Sequence, residues 1–300
     1  MDVSIIIVNY NTKELTRNCL RSVFQETKNI DFEVFISDNG SSDGSVEMIK
    51  EEFPQVVLIE NNANIGFGAA NNRALKKACG KYIFYLNSDT ILLNNAVKMF
   101  FDYWEQAEDK LHIGALGGIL LDDKLNTIHS GNNLPTYKEM ISLQLLFMKF
   151  HFLKSIIAFL HLGNLYIKKQ KEKSLTENVK AGEIGYVTGA DLFLKNDDNA
   201  YFDERYFMYC EETDLEYKLA KQNKKRLLIN GPKIIHLTRK INKQFIVEGF
   251  SVICMQESFI KYAEKNLKKS KLLKFLIMID RINPYLWKIT RKTKNIYYAQ

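Results

Sequence analysis

Cysteine is scarce in this sequence, and its four cysteines lie far apart. Cys19, Cys79, Cys210 and Cys254 form no C-x-x-C pair, which argues against a zinc ribbon and against a disulfide framework. We also expect no secretory leader, because Met-Asp is followed directly by an apolar run that is too short for a signal peptide. These absences predict a cytoplasmic protein in a reducing compartment.

Long apolar runs, internal repeats and low-complexity tracts are absent as well. The best candidate for a membrane span is residues 140–167, but Lys149, His151, Lys154 and His161 interrupt it, and its uncharged stretches fall short of ~18 residues. Two interpretations stay open here: helices packed on protein, or an interfacial segment that touches lipid. With 46% hydrophobic and 26% charged residues, the composition excludes the disordered and fibrous classes.

The formal net charge of +7 is concentrated at the C-terminal end. Residues 261–300 contain eleven lysines and arginines against Glu264 and Asp280, whereas the preceding chain is slightly acidic. A helical appendage with solvated lysines and a helix lying on anionic lipid both fit this pattern. We expect no nucleic-acid partner, since the segment lacks a recognised binding module, and we consider an anionic membrane surface as partner of residues 261–298.

Alternating strand and helix patterns predict an α/β fold with a parallel sheet. Residues 3–8 are β-branched except for Ser4, a pattern typical of a strand buried on both faces. The predicted elements are, in order, strand 3–8, a helix with Thr12 as its N-cap, strand 33–37, a short helix, strand 56–60, helix 66–79, strand 82–86 and a helix that follows Thr90 and runs to about residue 104.

The rest of the chain is less regular. It is predicted to contain strands 113–121, 185–195, 226–229 and 233–235, helix 211–222, a charged loop over 168–180, and helices beyond residue 241. We therefore predict one α/β domain over residues 1–240, followed by a helical basic region over residues 241–300.

Polar side chains follow three predicted strands at their carboxyl ends, where ligands of open parallel sheets bind. Asp38 either caps a turn or accepts a hydrogen bond from a nucleoside. Asp89 either caps the following helix or binds Mg²⁺ or Mn²⁺ beside a diphosphate. The three clusters are Val8-Asn9-Tyr10-Asn11, Asp38-Asn39-Gly40 and Asn87-Ser88-Asp89.

A second set of candidates lies further along the chain. Glu211, Glu212 and Asp214 open a predicted helix, where acids complement the helix dipole. Their mutual repulsion also raises at least one pKa, which suits a proton acceptor. His236 ends a short strand and is either a core histidine or a metal ligand. The glycine-rich stretch 64–71 fails the dinucleotide fingerprint, because an asparagine occupies its third glycine position.

Taken together, these motifs resemble the family 2 glycosyltransferases of the GT-A fold, in particular the rhamnosyltransferase-like and galactofuranosyltransferase-like enzymes of bacterial surface-polysaccharide assembly. The resemblance covers about residues 3–238, and its motifs occur in the family's order. It implies a single mixed, mostly parallel sheet flanked by helices. The matching segments are 4–11, 36–44, 64–71, 86–89, 187–190, 202–204, 209–215 and 232–236.

The resemblance also implies an inverting reaction that moves a rhamnose-like sugar or another hexose. The donor would be dTDP-, UDP- or GDP-linked, and the acceptor a hydroxyl of a glycan or lipid-linked glycan at the inner face of the cell membrane. Glu212 would be the catalytic base, and Asp89 and His236 would hold Mg²⁺ or Mn²⁺. The residues implied to bind the nucleotide sugar are Val8, Asn9, Tyr10, Asp38, Asn64, Gly66, Phe67, Asn71, Asn87, Ser88, Asp89, Gly189 and Ala190.

Two positions depart from the family pattern. The sequence Asn87-Ser88-Asp89 lacks one acid of the D-x-D element, which leaves fewer metal ligands. Glu211-Glu212 stands where Glu-Asp is usual, so Glu211 and Asp214 stay candidates for the base beside Glu212.

The sequence leaves two other functions open. A nucleotidyltransferase also places a nucleotide and a metal on an α/β sheet, but it needs a basic glycine-rich phosphate loop, and Lys13 is the only cation near the first strand. A non-catalytic nucleotide-sugar-binding protein has no need of Asp89, Glu212 and His236 together.

Overall fold

The computed structural model describes residues 1–159, 179–237 and 245–283. The chain divides into two compact units. The first comprises residues 1–134, 176–207 and 211–239, and the second comprises residues 135–175, 208–210 and 240–300. The domain boundary predicted at residue 240 stays a prediction, and most of the charged loop predicted over 168–180 lies outside the described residues.

The first unit is built on one large mixed sheet, and two short strands pair separately. Numbered along the chain, the strands are β1 (Val3–Asn9), β2 (Phe32–Asp38), β3 (Val57–Glu60), β4 (Tyr82–Asn87), β5 (Thr90–Leu92), β6 (Ile113–Leu121), β7 (Gly131–Asn132), β8 (Gly182–Ile184), β9 (Tyr186–Val187), β10 (Asp191–Lys195) and β11 (Lys225–His236). The sheet order is β3-β2-β1-β4-β10-β6-β11-β5, with β8 on β11, and β7 pairs β9.

Most of the sheet is parallel. β1 pairs in parallel with β2 and β4, β2 with β3, and β6 with β11. β10 is inserted antiparallel between β4 and β6, and β11 is antiparallel to β5 and β8. The predicted α/β class with a mixed, mostly parallel sheet is confirmed.

Both units contain helices, whereas the strands named above all belong to the first unit. The first unit contains α1 (Lys13–Glu26), α2 (Ser45–Glu52), α3 (Phe67–Leu75), α4 (Ala96–Gln106) and α6 (Glu211–Lys221), and the second contains α5 (Tyr137–Phe159), α7 (Phe245–Lys265) and α8 (Lys271–Arg281).

The alternating side chains of β1 show why the sheet is buried on both faces. Ile5 and Ile7 belong to one apolar cluster together with Leu20 of α1, and Ile6 belongs to another together with Leu215 of α6. All three isoleucines are fully buried. Each contributes about 1.5–3 kcal/mol from transfer out of water, so the β-branched run predicted as a doubly buried strand fixes the centre of the unit.

α3 ends at Leu75 and not near residue 79 as predicted. The Cys79 N–H donates to a Glu33 carboxylate oxygen at 2.7 Å, and the Gly80 N–H donates to the Ser4 hydroxyl at 2.8 Å. These bonds tie the segment after α3 to β2 and β1. Beyond Leu75 the N–H groups of Lys77 and Ala78 donate three residues back, to the carbonyls of Ala74 and Leu75, so the chain has left the α-helix before these strand contacts begin.

Three other predicted boundaries were wrong. The helix expected to follow Thr90 directly begins only at Ala96, because β5 forms there first and pairs with the end of β11. The strand predicted over 185–195 is broken into β9 and β10, and the two short strands predicted within 226–235 are one irregular strand, β11. Partners distant in sequence decide these boundaries, so local patterns missed them.

The second unit is helical in its described part, as predicted for the chain beyond residue 241. Met140, Ile253, Leu273 and Ile277 are buried within it. Among the described residues, no helix is both long enough and apolar enough to cross a bilayer. Residues 160–167 and 284–298, which belong to the two segments considered for lipid contact, lie outside the described residues.

Candidate active site

The three polar segments predicted to meet do lie at one edge of the sheet. In the parallel pairing of β1 with β2, Asn9 is opposite Asp38, and in the pairing of β1 with β4, Val8 is opposite Asn87. The carboxyl ends of the three strands therefore coincide. This confirms the expected placement, while the roles of these residues stay a prediction.

Asn9 and Asp38 form a buried hydrogen-bonded pair at this edge. Asn9 Nδ2 donates to Asp38 Oδ2 at 2.6 Å and to Ser41 Oγ at 3.0 Å. Asp38 Oδ1 accepts the backbone N–H groups of Gly40 and Ser41 at 3.0 and 2.8 Å. Asp38 is only 1% exposed, so its main role is to stabilise the turn after β2 through these hydrogen bonds. A nucleoside contact would use its remaining lone pairs.

Thr12 is the N-cap residue of α1, as predicted, but its side chain makes no capping hydrogen bond. Its hydroxyl donates to Asn9 Oδ1 at 2.6 Å, and the Thr16 hydroxyl donates to the same oxygen at 2.7 Å. The Thr12 hydroxyl is also 3.2 Å from Ser88 Oγ, which connects the loop after β1 to the loop after β4. These bonds orient the Asn9 amide so that its nitrogen faces the carboxylate.

The segment before α3 approaches another backbone closely. Gly66 has a φ of +91°, and a Cβ there would lie 2.5 Å from the carbonyl oxygen of Phe207. The Phe67 N–H donates to that same oxygen at 2.9 Å. Asn39, which the sequence did not single out for this contact, donates to Asn64 Oδ1 and to the Gly66 carbonyl, both at 3.2 Å. Glycine is needed here because any side chain would prevent this close approach.

Tyr10 and Asn71, both predicted to bind the donor, differ in exposure. Tyr10 is 41% exposed, so its ring is open to a planar ligand. Asn71 is buried, and its Nδ2 donates to the Phe67 carbonyl at 3.0 Å. Asn71 therefore stabilises the first turn of α3 and supports the site from behind.

Asp89 and His236 come together although they are distant in sequence. His236 Nε2 lies 3.3 Å from Asp89 Oδ1 and 3.5 Å from Asn87 Nδ2. The antiparallel pairing of β5 with β11 places Thr90 opposite His236 and brings about this meeting. A partly exposed carboxylate facing an imidazole fits a divalent cation. Within the described ranges, no set of three or more His, Cys, Asp or Glu side chains is placed to share one ion.

Glu212 is the most accessible of the three acids at the start of α6. Asp214 is buried and accepts the Tyr206 hydroxyl at 3.2 Å. Glu211 is also buried, and its Oε2 has no hydrogen-bond partner in the part of the chain that the structure describes. Burial, followed by the nearby Glu212, raises the pKa of Glu211 well above its ordinary value, and burial also raises the pKa of Glu212.

Gly189 and Ala190 connect this acid to the opposite side of the site. A Cβ at Gly189 would lie 3.7 Å from Cε1 of Phe67 and 3.8 Å from Cβ of Glu212. The Ala190 carbonyl accepts the Asn87 N–H at 3.0 Å, next to the Asp–His pair. The structure thus brings the predicted binding, acid and metal residues to one edge of the first unit.

Comparison with known proteins identifies the family to which this chain belongs. The family model for glycosyl transferase family 2 matches residues 4–173, more than half of the chain. The chain belongs to glycosyltransferase family 2.

Curated relatives of this family 2 chain include two named transferases. It is 32% identical over 124 residues to the poly(ribitol-phosphate) beta-glucosyltransferase of Bacillus spizizenii, which covers 40% of this chain and 20% of that protein. It is 24% identical over 222 residues to the N-acetylglucosaminyl-diphospho-decaprenol L-rhamnosyltransferase of Mycobacterium tuberculosis, which covers 68% of this chain and 66% of that protein. The chain therefore spans between a fifth and about two thirds of these relatives.

Solved structures share the fold of the family 2 chain. GalNAc-T7 with UDP, GalNAc and Mn²⁺ aligns with a TM-score of 0.60 at 14% identity, over 99% of this chain and 57% of that chain. A mannosyltransferase from Pyrobaculum calidifontis with GDP-Man and Mn²⁺ aligns with a TM-score of 0.55 at 14% identity, over 99% and 75%. At such identities the similarity shows the GT-A fold alone, and it confirms the predicted fold.

Two buried acids of this family 2 chain were missed from the sequence. Glu216 lies one helical turn after Glu212 and accepts the Val187 N–H with its two carboxylate oxygens at 3.0 and 2.9 Å. Asp191 Oδ2 accepts the Gly118 N–H at 2.6 Å. Burial raises the pKa of both carboxyls well above the ordinary values. Glu216 fixes β9, the strand that leads to Gly189. In the sequence, its spacing from Glu212 was the one feature that could have indicated this acid.

Proposed function

We propose that this chain transfers a sugar from a nucleoside-diphosphate donor to an acceptor hydroxyl, with inversion at the anomeric carbon. The observation that carries the proposal is the arrangement along one sheet edge, where Asp89 and His236 lie 3.3 Å apart and Glu212 lies beside Gly189. Sugar transfer develops negative charge on the departing diphosphate and positive charge on the sugar ring. A cation held by Asp89 and His236 would offset the negative charge on the diphosphate. The accessible carboxylate of Glu212 would complement the positive charge on the sugar ring.

The nucleotide is assigned to the loops after β1 and β2. Tyr10 offers an exposed ring to the base, and the Asn9–Asp38 pair holds the turn that would contact the nucleoside. The mannosyltransferase of the same fold holds GDP-Man and GalNAc-T7 holds UDP, which supports a dTDP-, UDP- or GDP-linked donor. The other assigned donor contacts are Val8, Asn64, Gly66, Phe67, Asn71, Asn87, Ser88, Asp89, Gly189 and Ala190.

Asp89 and His236 are assigned to a divalent cation, Mg²⁺ or Mn²⁺. Their fit rests on a carboxylate oxygen and an imidazole nitrogen that face each other at a partly exposed edge, which leaves coordination positions for diphosphate oxygens and water. Mn²⁺ is present in both structures of the same fold named above. When bound, such a cation neutralises charge on the leaving diphosphate.

Glu212 is assigned as the general base. The acceptor oxygen bonds to the anomeric carbon while the bond from that carbon to the diphosphate oxygen breaks, and the hydroxyl proton passes to the Glu212 carboxylate. Attack opposite the leaving group inverts the configuration. Glu211 and Asp214 are weaker candidates because both are buried, and Asp214 already accepts the Tyr206 hydroxyl.

The acceptor is assigned to a glycan or lipid-linked glycan of the bacterial cell surface. The mycobacterial relative is an L-rhamnosyltransferase acting on a diphospho-decaprenol compound, which supports a rhamnose-like or other hexose. Free cysteines support placement in the cytoplasm, at the inner face of the membrane. The basic residues of 261–298 support contact with anionic lipid, although residues 284–298 lie outside the described part of the chain.

A donor panel tests the reaction class. The purified chain is incubated with dTDP-, UDP- and GDP-sugars and Mn²⁺, and release of nucleoside diphosphate is measured. We expect release from one donor class, increased by an acceptor glycan. A nucleotidyltransferase would instead release pyrophosphate from a nucleoside triphosphate and a sugar phosphate. A binding protein would be stabilised by a donor without releasing product, and either result would contradict the proposal.

Removal of divalent cations tests the metal assignment separately. We expect EDTA to abolish turnover and added Mg²⁺ or Mn²⁺ to restore it, because the diphosphate leaves as an anion. Asp89→Asn should raise the Mn²⁺ concentration needed for half-maximal rate, whereas Asp123→Asn, at an exposed acid of the same unit, should not. Full activity in EDTA would leave Asp89 and His236 as a structural pair.

A further inference from the structure

The helices of the second unit meet around a buried polar cluster. Asp280 Oδ2 accepts Nε2 of Gln144 at 3.0 Å and Nε2 of Gln256 at 2.8 Å, and His151 Nδ1 donates to Asp280 Oδ1 at 2.9 Å. These four side chains are at most 2% exposed. Arg281 Nε donates to Gln256 Oε1 at 3.2 Å. α5, α7 and α8 thus each contribute polar groups to one interior.

The opposite face of α5 is apolar and open to solvent. Leu145, Phe152 and Ile156 are separated by seven and four residues, so they share a face, and that face is turned away from Gln144 and His151. Phe152 is 63% exposed. The exposed apolar side chains on this face are Leu145, Leu146, Phe152, Leu153 and Ile156.

α8 repeats this arrangement. Leu273, Ile277 and Asp280 point into the unit and are buried. Apolar side chains at spacings of three and four residues cover the other side of the helix and are between 50% and 71% exposed. They are Leu272, Phe275, Met278 and Ile282. We call these four side chains and the five of α5 the outer faces.

The exposed apolar side chains distinguish these two helices from a helix that packs only in water. A surface helix of a soluble domain turns its apolar stripe to the core and its polar residues to solvent. In lipid, polar side chains turn to the interior of a helical bundle and apolar ones face outward. The second unit keeps some buried apolar residues, but both of these helices follow the second pattern on their outer faces.

The charges beside the outer faces define the partner. Lys149 lies within the exposed face of α5, and Lys268, Lys269 and Lys271 are exposed at the start of α8. Cations flanking an apolar helix face match the anionic headgroups of a bilayer. The same lysines would repel their counterparts if a second copy of the chain covered these faces.

We propose that the outer faces of α5 and α8 bind the surface of an anionic bilayer, with their apolar side chains among the upper acyl chains and the lysines at the phosphates. No helix in the described ranges is apolar and long enough to span the bilayer, so the contact lies in the interfacial plane. This inference rests on and deepens the contact with anionic lipid proposed above for residues 261–298, and its test measures lipid binding separately from sugar transfer.

Vesicle flotation of the full chain tests the proposal. We expect wild-type protein to float with vesicles of phosphatidylcholine and phosphatidylglycerol, and much less with phosphatidylcholine alone. The double variant Phe152→Ser, Phe275→Ser should lower vesicle binding about tenfold or more, since two large apolar side chains no longer enter lipid. The matched control Tyr103→Ser, Leu111→Ser removes exposed apolar residues of the first unit and should bind like wild type.

A triple variant, Lys268→Gln, Lys269→Gln, Lys271→Gln, tests the contribution of the lysines. It should weaken binding to phosphatidylglycerol vesicles and remove the salt dependence of that binding.

A Phe152→Trp variant offers a second measurement, because brominated phosphatidylglycerol should quench its fluorescence. Failure of wild type to float, equal flotation of the double variant and its control, or absence of quenching would overturn the proposal. So would a dimer that the double variant breaks without any vesicle binding. Donor hydrolysis is assayed on the same samples, so loss of the reaction is distinguished from loss of the surface.

Discussion

The two units of this chain combine apolar and polar burial in different ways. The first buries β-branched and aromatic residues on both faces of its sheet and places its acids, amides and His236 along one edge. The second buries a cluster of Gln144, His151, Gln256 and Asp280 and exposes leucines and phenylalanines. We therefore propose different surroundings for the two units, namely water and a polar ligand for the first, and a lipid surface for the outer faces of the second.

Different contacts therefore stabilise the interior of each unit. Apolar burial, at about 25 cal/mol per Å², dominates the first unit. In the second unit, the acceptor oxygens of Asp280 satisfy donors from three side chains, and loss of such an acceptor leaves buried donors unpaired. Substitutions that target one kind of contact should therefore affect one unit and spare the other.

The largest expected effect concerns the polar edge of the first unit. Glu212→Gln should lower kcat by about 10²–10⁴ while donor affinity is preserved, because the amide keeps the shape but cannot take the acceptor proton. The measurement is nucleoside diphosphate release with acceptor present, together with a donor titration. Glu211→Gln is the matched control and should cost much less, since Glu211 is buried. A nearly active Glu212→Gln protein would move the base elsewhere.

A smaller effect is expected at the centre of the second unit. Asp280→Asn should destabilise that unit by about 1–3 kcal/mol, because one of the two acceptor oxygens becomes a donor that faces other donors. Hydrogen exchange read by mass spectrometry should show faster exchange in peptides of α5 and α8 and unchanged exchange in peptides of β1 and β4. If the variant changed hydrogen exchange equally in peptides of both units, the proposed difference between the units would be wrong.

The smallest effect is expected for Asp191, a buried acid of the first unit. Burial raises the pKa of Asp191 well above 3.8, so the folded chain keeps this carboxyl protonated at pH values where the unfolded chain has released the proton. The unfolded state then binds fewer protons, and stability falls as pH rises above 3.8. Asp191→Asn cannot ionise, so its melting temperature should depend less on pH than that of wild type. Identical pH profiles would show that Asp191 is ionised in the fold.

Much of the first unit follows from local sequence. The β-branched run of β1 has a clear period, and the polar residues after β1, β2 and β4 meet because the carboxyl ends of parallel strands coincide. Asn39 and Glu216 could not be placed in this way, since they bond to the Gly66 carbonyl and the Val187 N–H, partners that only the folded chain brings near. The boundary of β5 was missed for the same reason.

The second unit shows a different limit. The sequence of α5 shows how apolar the segment is, but its mixed pattern does not tell which face packs. Contacts from Gln144 and His151 to Asp280, far along the chain, decide that face. Both interpretations of the segment therefore stay open from the sequence, and its contact with lipid stays a proposal.

The irregularity of β11 has a consequence for the cation pair. Ile229 is opposite Gly118 of β6 and Lys233 is opposite Ile119, so residues 230–232 are passed over in the pairing. Neighbouring side chains of a strand point to opposite faces. Because pairing with β6 resumes at Lys233 and pairing with β5 begins at Ile234, His236 lies opposite Thr90, the residue after Asp89. A change in the length of this detour that shifted the register of β11 by one residue would turn His236 to the far face of the sheet, away from Asp89.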